Sequence, residues 1–294
     1  MRFDSIADSL FRRGFAIKVV CGKDYSHSRM PARLAMRKSV QPRAAEAAIE
    51  ATRRGRLISY IERGLIPSHQ FRNQELIASE TDDAAIHLIL HRGNSLYGAI
   101  RGVFHPFDNL DPQRLFCSSI LRSCATRGAE ETLMRAVRDR EQTSSHFFEV
   151  SGWFANPDMK VEGSAGLILP AAVWAFTSLF DRRFPAFSSS RASNSAARIL
   201  IRMGGGTIPG LKFHDSDYRG EVQLMTLHSH DHSQFIDGLV GSLRKHLVAN
   251  GIVMAGRKSQ PQPDGRQLQA SRSALSSWNS GAGEVPFPLA QAAS

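Results

Sequence analysis

Residues 44–250 of this chain read as a mixed α/β domain. Segments with a helical apolar period alternate with short strand-like runs. Apolar residues make up 42% of the 294, enough to bury a core. From about residue 256 the composition turns to Ser, Gln, Gly, Pro and Ala with little periodicity, so 256–294 is expected to be a disordered tail.

The elements follow in order. Residues 1–43 are mixed and read as an N-terminal basic arm, with Phe15–Val20 as a short strand and 26–42 as a basic, proline-containing loop. Ala44–Gly64 is rich in Ala, Glu and Arg at helical spacing, and Gly64 stops it. Ala84–His91 and Leu96–His105 read as a hairpin around Gly93-Asn94, with a loop longer than the minimal two residues. Ser118–Gln142 reads as a helix with a weak point at Gly128, and Ser144–Ala155 as a strand. Gly163–Phe180 reads as a buried helix, Phe184–Ser190 as a strand, and Ala192–Met203 as a helix stopped by Gly204-Gly-Gly206. Glu221–Leu227 and Phe235–Asn250 close the domain as strand and amphipathic helix.

Composition excludes several function classes. Cys21, Cys117 and Cys124 form neither a disulfide framework nor a zinc-ligand spacing, which fits a reducing compartment. No apolar run follows the charged N-terminus as a signal peptide would. The longest apolar stretch, Leu167–Phe180, is shorter than the roughly 20 residues of a membrane span and contains Pro170. A cytoplasmic protein without a membrane span is expected.

The net charge is +10, from 37 Lys and Arg against 27 Asp and Glu. Arg29, Arg33, Arg37, Lys38 and Arg43 form one basic stretch, and Arg53, Arg54 and Arg56 another. Such runs are most often solvated faces. No helix-turn-helix, zinc finger or aromatic RNA-binding signature accompanies them, so nucleic acid ranks low as a partner. His228-Ser-His230-Asp-His232 lacks one residue of the His-x-His-x-Asp-His metal pattern. It reads as a polar strand end, and no metal is expected.

The chemistry concentrates between Phe148 and Ala165. A strand ends, a loop containing Pro157 turns, and a helix opens at Gly163-Ser164-Ala165. A helix N-terminus presents free N–H groups and partial positive charge, which suit a phosphate. Small residues let the ligand reach the backbone. Lys160 adds a mobile cation.

The run Ala155–Ala165 resembles the coenzyme A loop of the GNAT acyltransferases, whose pattern is Arg or Gln, two residues, Gly, one residue, then Gly or Ala. Lys160 stands in the Arg/Gln place with the charge but not the planar fork, while Gly163 and Ala165 fit. Asn194–Gly204 resembles the family's later helix, which packs beside the cofactor arm, with Asn194 at its start. By order of elements the resemblance spans about residues 60–230.

The resemblance implies a central, mostly antiparallel sheet that splays at one strand and is flanked by helices. It implies an acyl-CoA or acyl carrier protein donor and an amine acceptor. Lys160, Gly163, Ser164 and Ala165 would hold phosphate. Backbone N–H groups near Trp153, Phe154 and Ala155 would face the thioester. Glu149 would take the amine's proton, directly or through water. On an ideal strand Glu149, Ser151 and Trp153 share a face, which a bulge would change. Glu149-Val-Ser151 also resembles the Glu-x-Ser of acyl-homoserine lactone and N-acyl amino acid synthases, with Gly152 where those have Arg. The basic surface suits an acidic carrier protein. Ile201 occupies the place where many members carry a Tyr that protonates the leaving thiolate; water or Ser195 could serve instead.

Two rival readings stand beside this one. A thioester-binding module without catalysis accommodates both Lys160 and Ile201. A nucleic-acid binder would work through the basic arm at 29–56.

Overall fold

The computed structural model describes residues 4–25, 38–64, 81–108, 115–117, 121, 128–139, 146–155, 165–180, 183–191, 195–215 and 220–255. The helices are α1 (Asp4–Arg12), α2 (Pro42–Glu62), α3 (Thr81–Ala84), α4 (Ala129–Arg138), α5 (Ala165–Thr177), α6 (Ser195–Arg202) and α7 (Asp237–Asn250). The strands are β1 (Phe15–Cys21), β2 (Lys38–Val40), β3 (Ile86–Arg92), β4 (Ser95–Pro106), β5 (His146–Ala155), β6 (Ala186–Arg191), β7 (Gly206–Asp215), β8 (Gly220–Thr226) and β9 (Ile252–Met254).

All nine strands join one sheet in the order β2-β9-β1-β3-β4-β5-β6-β8-β7. Five neighbouring pairs are antiparallel, and β2–β9, β9–β1 and β5–β6 are parallel. This is the mixed α/β architecture that the sequence predicts, with the mostly antiparallel sheet that the resemblance implies.

Alternation along the strands makes two apolar faces. On one, Phe15, Ile17, Val19, Leu88, Leu90, Ile100, Phe104, Phe148 and Val150 pack against α1, α5, α6 and α7. α5 is apolar all round and buried from Ile168 to Thr177, as a helix inside a core must be. On the other face, α2 covers Val20, Ile89, Ala99 and Phe154, while α4 covers Phe147, Phe187 and Leu224.

Several elements differ from the sequence expectation, each for a local reason. Within 1–43, the strand expected at Phe15–Val20 is β1, between β9 and β3, and α1 is an element the sequence reading did not mark, with Ile6, Ala7 and Leu10 recurring at helical spacing into the core. The hairpin turn is the minimal one, because Arg92 pairs with Ser95 and leaves only Gly93-Asn94 between; Gly93 takes φ +55. α4 begins at Ala129 after Gly128, which holds a left-handed conformation at the N-cap. β7 carries Pro209 and Gly210, residues that hide a strand in sequence and that a sheet tolerates at its edge, where β7 lies. The disordered tail expected from residue 256 lies outside the described residues.

Gly102 is fixed by packing. A Cβ there would collide with the ring of Phe148, across the β4–β5 pair. Gly102→Ala is therefore expected to cost about 1–3 kcal/mol through overpacking, measured as a fall in denaturation midpoint.

Candidate functional site

β5 and β6 run parallel but stay together only briefly. They pair at Phe148–Ala186, Glu149–Phe187 and Val150–Ser188, and no further. Beyond that point β5 continues to Ala155 along β4, while β6 continues to Arg191 along β8. The sheet parts between Ser151–Ala155 and Ser189–Arg191. The segment after Ala155 leads to α5, which opens at Ala165.

A bulge sits at the parting. Ala99 pairs with Phe154 and Arg101 with Ser151, so Gly152 and Trp153 oppose Ile100 alone. Gly152 takes φ +66, and a Cβ there would lie 2.9 Å from Nη1 of Arg56 and 3.0 Å from Nε of Arg101. The backbone and the neighbouring guanidiniums both require glycine. The extra residue also redirects the side chains. Glu149 stays on the α2/α4 face with Phe147, whereas Trp153 packs into the core around α5 and Phe154 packs under α2. The ideal alternation that would put Glu149 and Trp153 on one face is broken here. Arg63 Nη2 donates to the Ala155 carbonyl at 3.0 Å, tying the end of β5 to the end of α2.

Glu149 is buried and its carboxylate is fully engaged. Oε1 accepts from Cys117 N at 2.9 Å; Oε2 accepts from Phe116 N at 2.9 Å and lies 3.0 Å from Nε2 of His105. Burial, then the nearby Glu149 charge, pushes the Cys117 thiol up, so this sulfur stays a thiol. His105 stacks on Phe147 with centroids 5.3 Å apart.

A second buried carboxylate lies on the same face. Asp82 accepts from Arg53 Nε at 3.1 Å, from Arg56 Nη2 at 3.1 Å and from Arg101 Nη1. Burial alone would raise its carboxyl; the Arg101 and Arg56 charges prevail and hold it well below the usual carboxylate range. Burial, then the charge of Arg56, pushes Arg101 down to about 10. The Arg101 guanidinium stacks 4.1 Å from the centroid of Phe116, so the Asp82 cluster and the loop that holds Glu149 touch. His87 pairs with Arg101 across the hairpin, and burial pushes it down to about 4 against the opposing pull of Asp82. As a cluster these residues left no mark in the sequence, because they are scattered: Arg53 and Arg56 stood out only as a basic run of the kind that is most often a solvated face, whereas Arg56 is buried on Asp82. Asp82 in a short acidic turn and Arg53 and Arg56 in a basic run carry no spacing signal.

Other expected residues are placed as follows. Ser151, Trp153, Phe154 and Ala155 lie on the stretch of β5 that has parted from β6, and Glu149 on the stretch still paired with it. Ala165 opens α5. Lys160, Gly163, Ser164 and Asn194 lie outside the described residues. Ile201 points outward at 47% exposure; Ile199, its neighbour on α6, approaches Gly166 at the start of α5. His228 Nδ1 accepts from Ala186 N at 3.3 Å and Ser229 Oγ accepts from Phe184 N at 2.7 Å, so this segment secures the start of β6. His232 Nε2 lies 2.9 Å from Asp237. Among the described residues no three His, Cys, Asp or Glu side chains converge as a metal site would need. No helix of the described residues is long and apolar enough to cross a membrane.

No family model and no curated protein matches the chain. The solved structures it is similar to are GNAT-fold acyltransferases. One is FeeM, an N-acyl amino acid synthase from uncultured soil microbes, at 17% identity over 61% of this chain and 83% of that one, with a TM-score of 0.37. Another is BjaI, a CoA-dependent acyl-homoserine lactone synthase, at 14% identity over 89% and 99% of the two chains, with a TM-score of 0.44. A third is yncA, a putative acetyltransferase from Salmonella typhimurium, at 10% identity over 64% and 92%, with a TM-score of 0.38. Each of these scores lies below 0.5, so the functional reading rests on the site's own geometry.

Two measurements follow from the buried charges. Asp82→Asn leaves Arg56 and Arg101 buried without that charge between them, and is expected to cost about 3–5 kcal/mol in chemical denaturation. His87 is depressed in the folded state to about 4, so its contribution is complete above the unfolded histidine value near 6.5 and is lost as pH falls toward 4. The loss is on the order of 3 kcal/mol. His246 is also lowered to about 4, by burial and then by His91. His87→Gln should therefore flatten part of the slope between pH 6.5 and 4 and leave the share of His246.

Proposed function

We propose that the chain is an N-acyltransferase that moves an acyl group from a thioester, on coenzyme A or a carrier protein, to an amine such as that of an amino acid. The observation that supports this most is the parting of β5 from β6 beside a bulged strand. A gap inside a sheet connects its two faces. A thioester arm could enter from the α5 side and meet an amine arriving on the α2/α4 side, where Glu149 and Ser151 lie. Backbone N–H groups released near Trp153, Phe154 and Ala155 suit a developing oxyanion. Lys160, Gly163 and Ser164, with the start of α5 at Ala165, suit the donor phosphates, and Asn194 would flank the arm. Glu149 serves as the base in this scheme, directly or through water. Arg12, Arg13 and Arg92 line an open concavity with Tyr97, a basic surface that suits an acidic carrier protein.

The full set of hydrogen bonds on Glu149 favours a second reading, thioester binding without turnover. One experiment separates the two. Melting temperature is followed against acetyl-, octanoyl- and palmitoyl-CoA and an octanoyl carrier protein, with Gly163→Trp as control, and free thiol release is then followed with a panel of amino acids. A ligand that binds the native state at 100 times its Kd adds about 2.7 kcal/mol. We expect stabilisation by one donor, its loss in Gly163→Trp, and thiol release with an amine. Stabilisation without product selects the binding module. No stabilisation and no product with any donor sinks both.

A further inference from the structure

We propose that Arg63, held at the mouth of the β5–β6 gap by the Ala155 carbonyl, binds the phosphate ester that ends the donor's pantetheine arm; this rests on the thioester reading above.

The direction of two carbonyls places the guanidinium. A Cβ on Gly98 would lie 2.7 Å from the Phe154 oxygen, so that carbonyl is turned toward β4. Successive carbonyls of a strand point to opposite sides. Ala155 O therefore points away from β4, to the side that β6 has left. The bulge brings this about. Phe148 faces β6, since its N–H donates to Pro185 O at 2.9 Å, and strict alternation would turn Phe154 the same way. One extra residue reverses the order, so that Ala155 faces the gap instead. Arg63 Nη2 donates to the Ala155 oxygen at 3.0 Å. A side chain from the end of α2 thus reaches the open side of β5.

The start of α5 meets the same point from the other face of the sheet. A Cβ on Gly98 would also lie 2.9 Å from Cδ1 of Leu169 and 3.1 Å from Cα of Ala155. Leu169 stands four residues beyond Ala165, where α5 opens, which is about 6 Å along the helix. The N-terminal turn of α5 and the Arg63 guanidinium therefore converge on the end of β5. Main-chain N–H groups at a helix start and a guanidinium are both ligands for phosphate.

Charge and access favour the same role. Arg63 is exposed, and among the described residues no carboxylate pairs with it. Arg53, Arg56 and Arg101, by contrast, are committed to Asp82. A neutral carbonyl fixes the Arg63 side chain without compensating its charge. It takes one of the five guanidinium N–H groups. The planar fork is also what Lys160 lacks at its place in the sequence. Coenzyme A and the prosthetic arm of a carrier protein both carry a phosphate at this end of pantetheine, so the chemistry is common to the two donors.

The test is calorimetric binding of octanoyl-CoA, an octanoyl carrier protein and octanoyl-pantetheine, which ends in a hydroxyl, to the wild type, Arg63→Gln and Arg63→Lys. Loss of a charge-assisted hydrogen bond should raise Kd about 10-fold in Arg63→Gln for the donor whose phosphate Arg63 holds. Octanoyl-pantetheine should bind the variant and the wild type alike. The melting temperature without ligand should stay near the wild-type value, because the side chain is exposed. A loss with octanoyl-CoA, with the carrier protein or with both supports the proposal and identifies the source of the phosphate. An equal loss with octanoyl-pantetheine overturns it, since Arg63 would then act only by holding Ala155. An unchanged Kd for every donor also overturns it. If Arg63→Gln does not fold, Arg63→Lys decides. With the charge kept and the fork lost, a smaller rise in Kd confined to the phosphate-bearing donors is expected, and no rise overturns the proposal. A wild-type protein that binds none of the three donors fails the thioester reading itself, an outcome visible before any variant is made.

Discussion

One buried carboxylate joins the pieces on which the site depends. Asp82 is fully inaccessible and receives guanidinium groups from α2 and from β4. Removing such a group from water is costly, and only close opposite charges with directed hydrogen bonds offset that cost. The offset needs α2 to lie where Arg53 and Arg56 can reach across β3 and β4. The docking of that helix is thereby fixed by electrostatics as well as by Ala45, Ala48 and Ile49 packing on the sheet. Arg56, together with Arg101 of β4, crowds Gly152, so the bulge in β5 and the position of α2 specify one another. The stack of Arg101 on Phe116 carries this order to the loop that donates two N–H groups to Glu149.

The fold was legible where the pattern was long and regular. α2, the β3–β4 hairpin, β5, α5 and α7 each announce themselves through period or length. Two of the missed elements have sequences that do not announce their state. β7 contains Pro209 and Gly210, and its irregular register between Thr207 and Lys212 shows how the edge absorbs them. β9 is only three residues long, and its strand state comes from pairing with β1 and β2, not from propensity. Tertiary context decides both.

The site was legible in part. The strand, loop and helix around 148–165 could be read as chemistry because a helix N-terminus and small residues carry a local meaning. Glu149 could be singled out as a carboxylate between aromatic residues. Its partners could not. His105 lies on another strand, and Phe116 and Cys117 contribute main-chain groups, which leave no trace in a residue pattern. Gly152, which in sequence seemed only a missing arginine, has a positive φ and guanidiniums on its open side. Positive charge is present at that spot, supplied by Arg56 and Arg101 from elsewhere in the chain.

The place of β1 bears on how the chain acquires its shape. β1 is an interior strand, bordered by β3 on one side and by β9 on the other. Its Ile17 N–H is satisfied by His246 Nε2, a partner 229 residues away in the chain. During synthesis β1 emerges early but cannot be closed on its β9 side until α7 and β9 have followed. Until then its open edge is a hydrogen-bonding template, the kind of surface that invites wrong pairing. Contacts this distant in sequence also slow folding, since the loop must close before any of them stabilises the chain. The side of the sheet remote from the parting is therefore the side that nascent-chain quality control must guard longest.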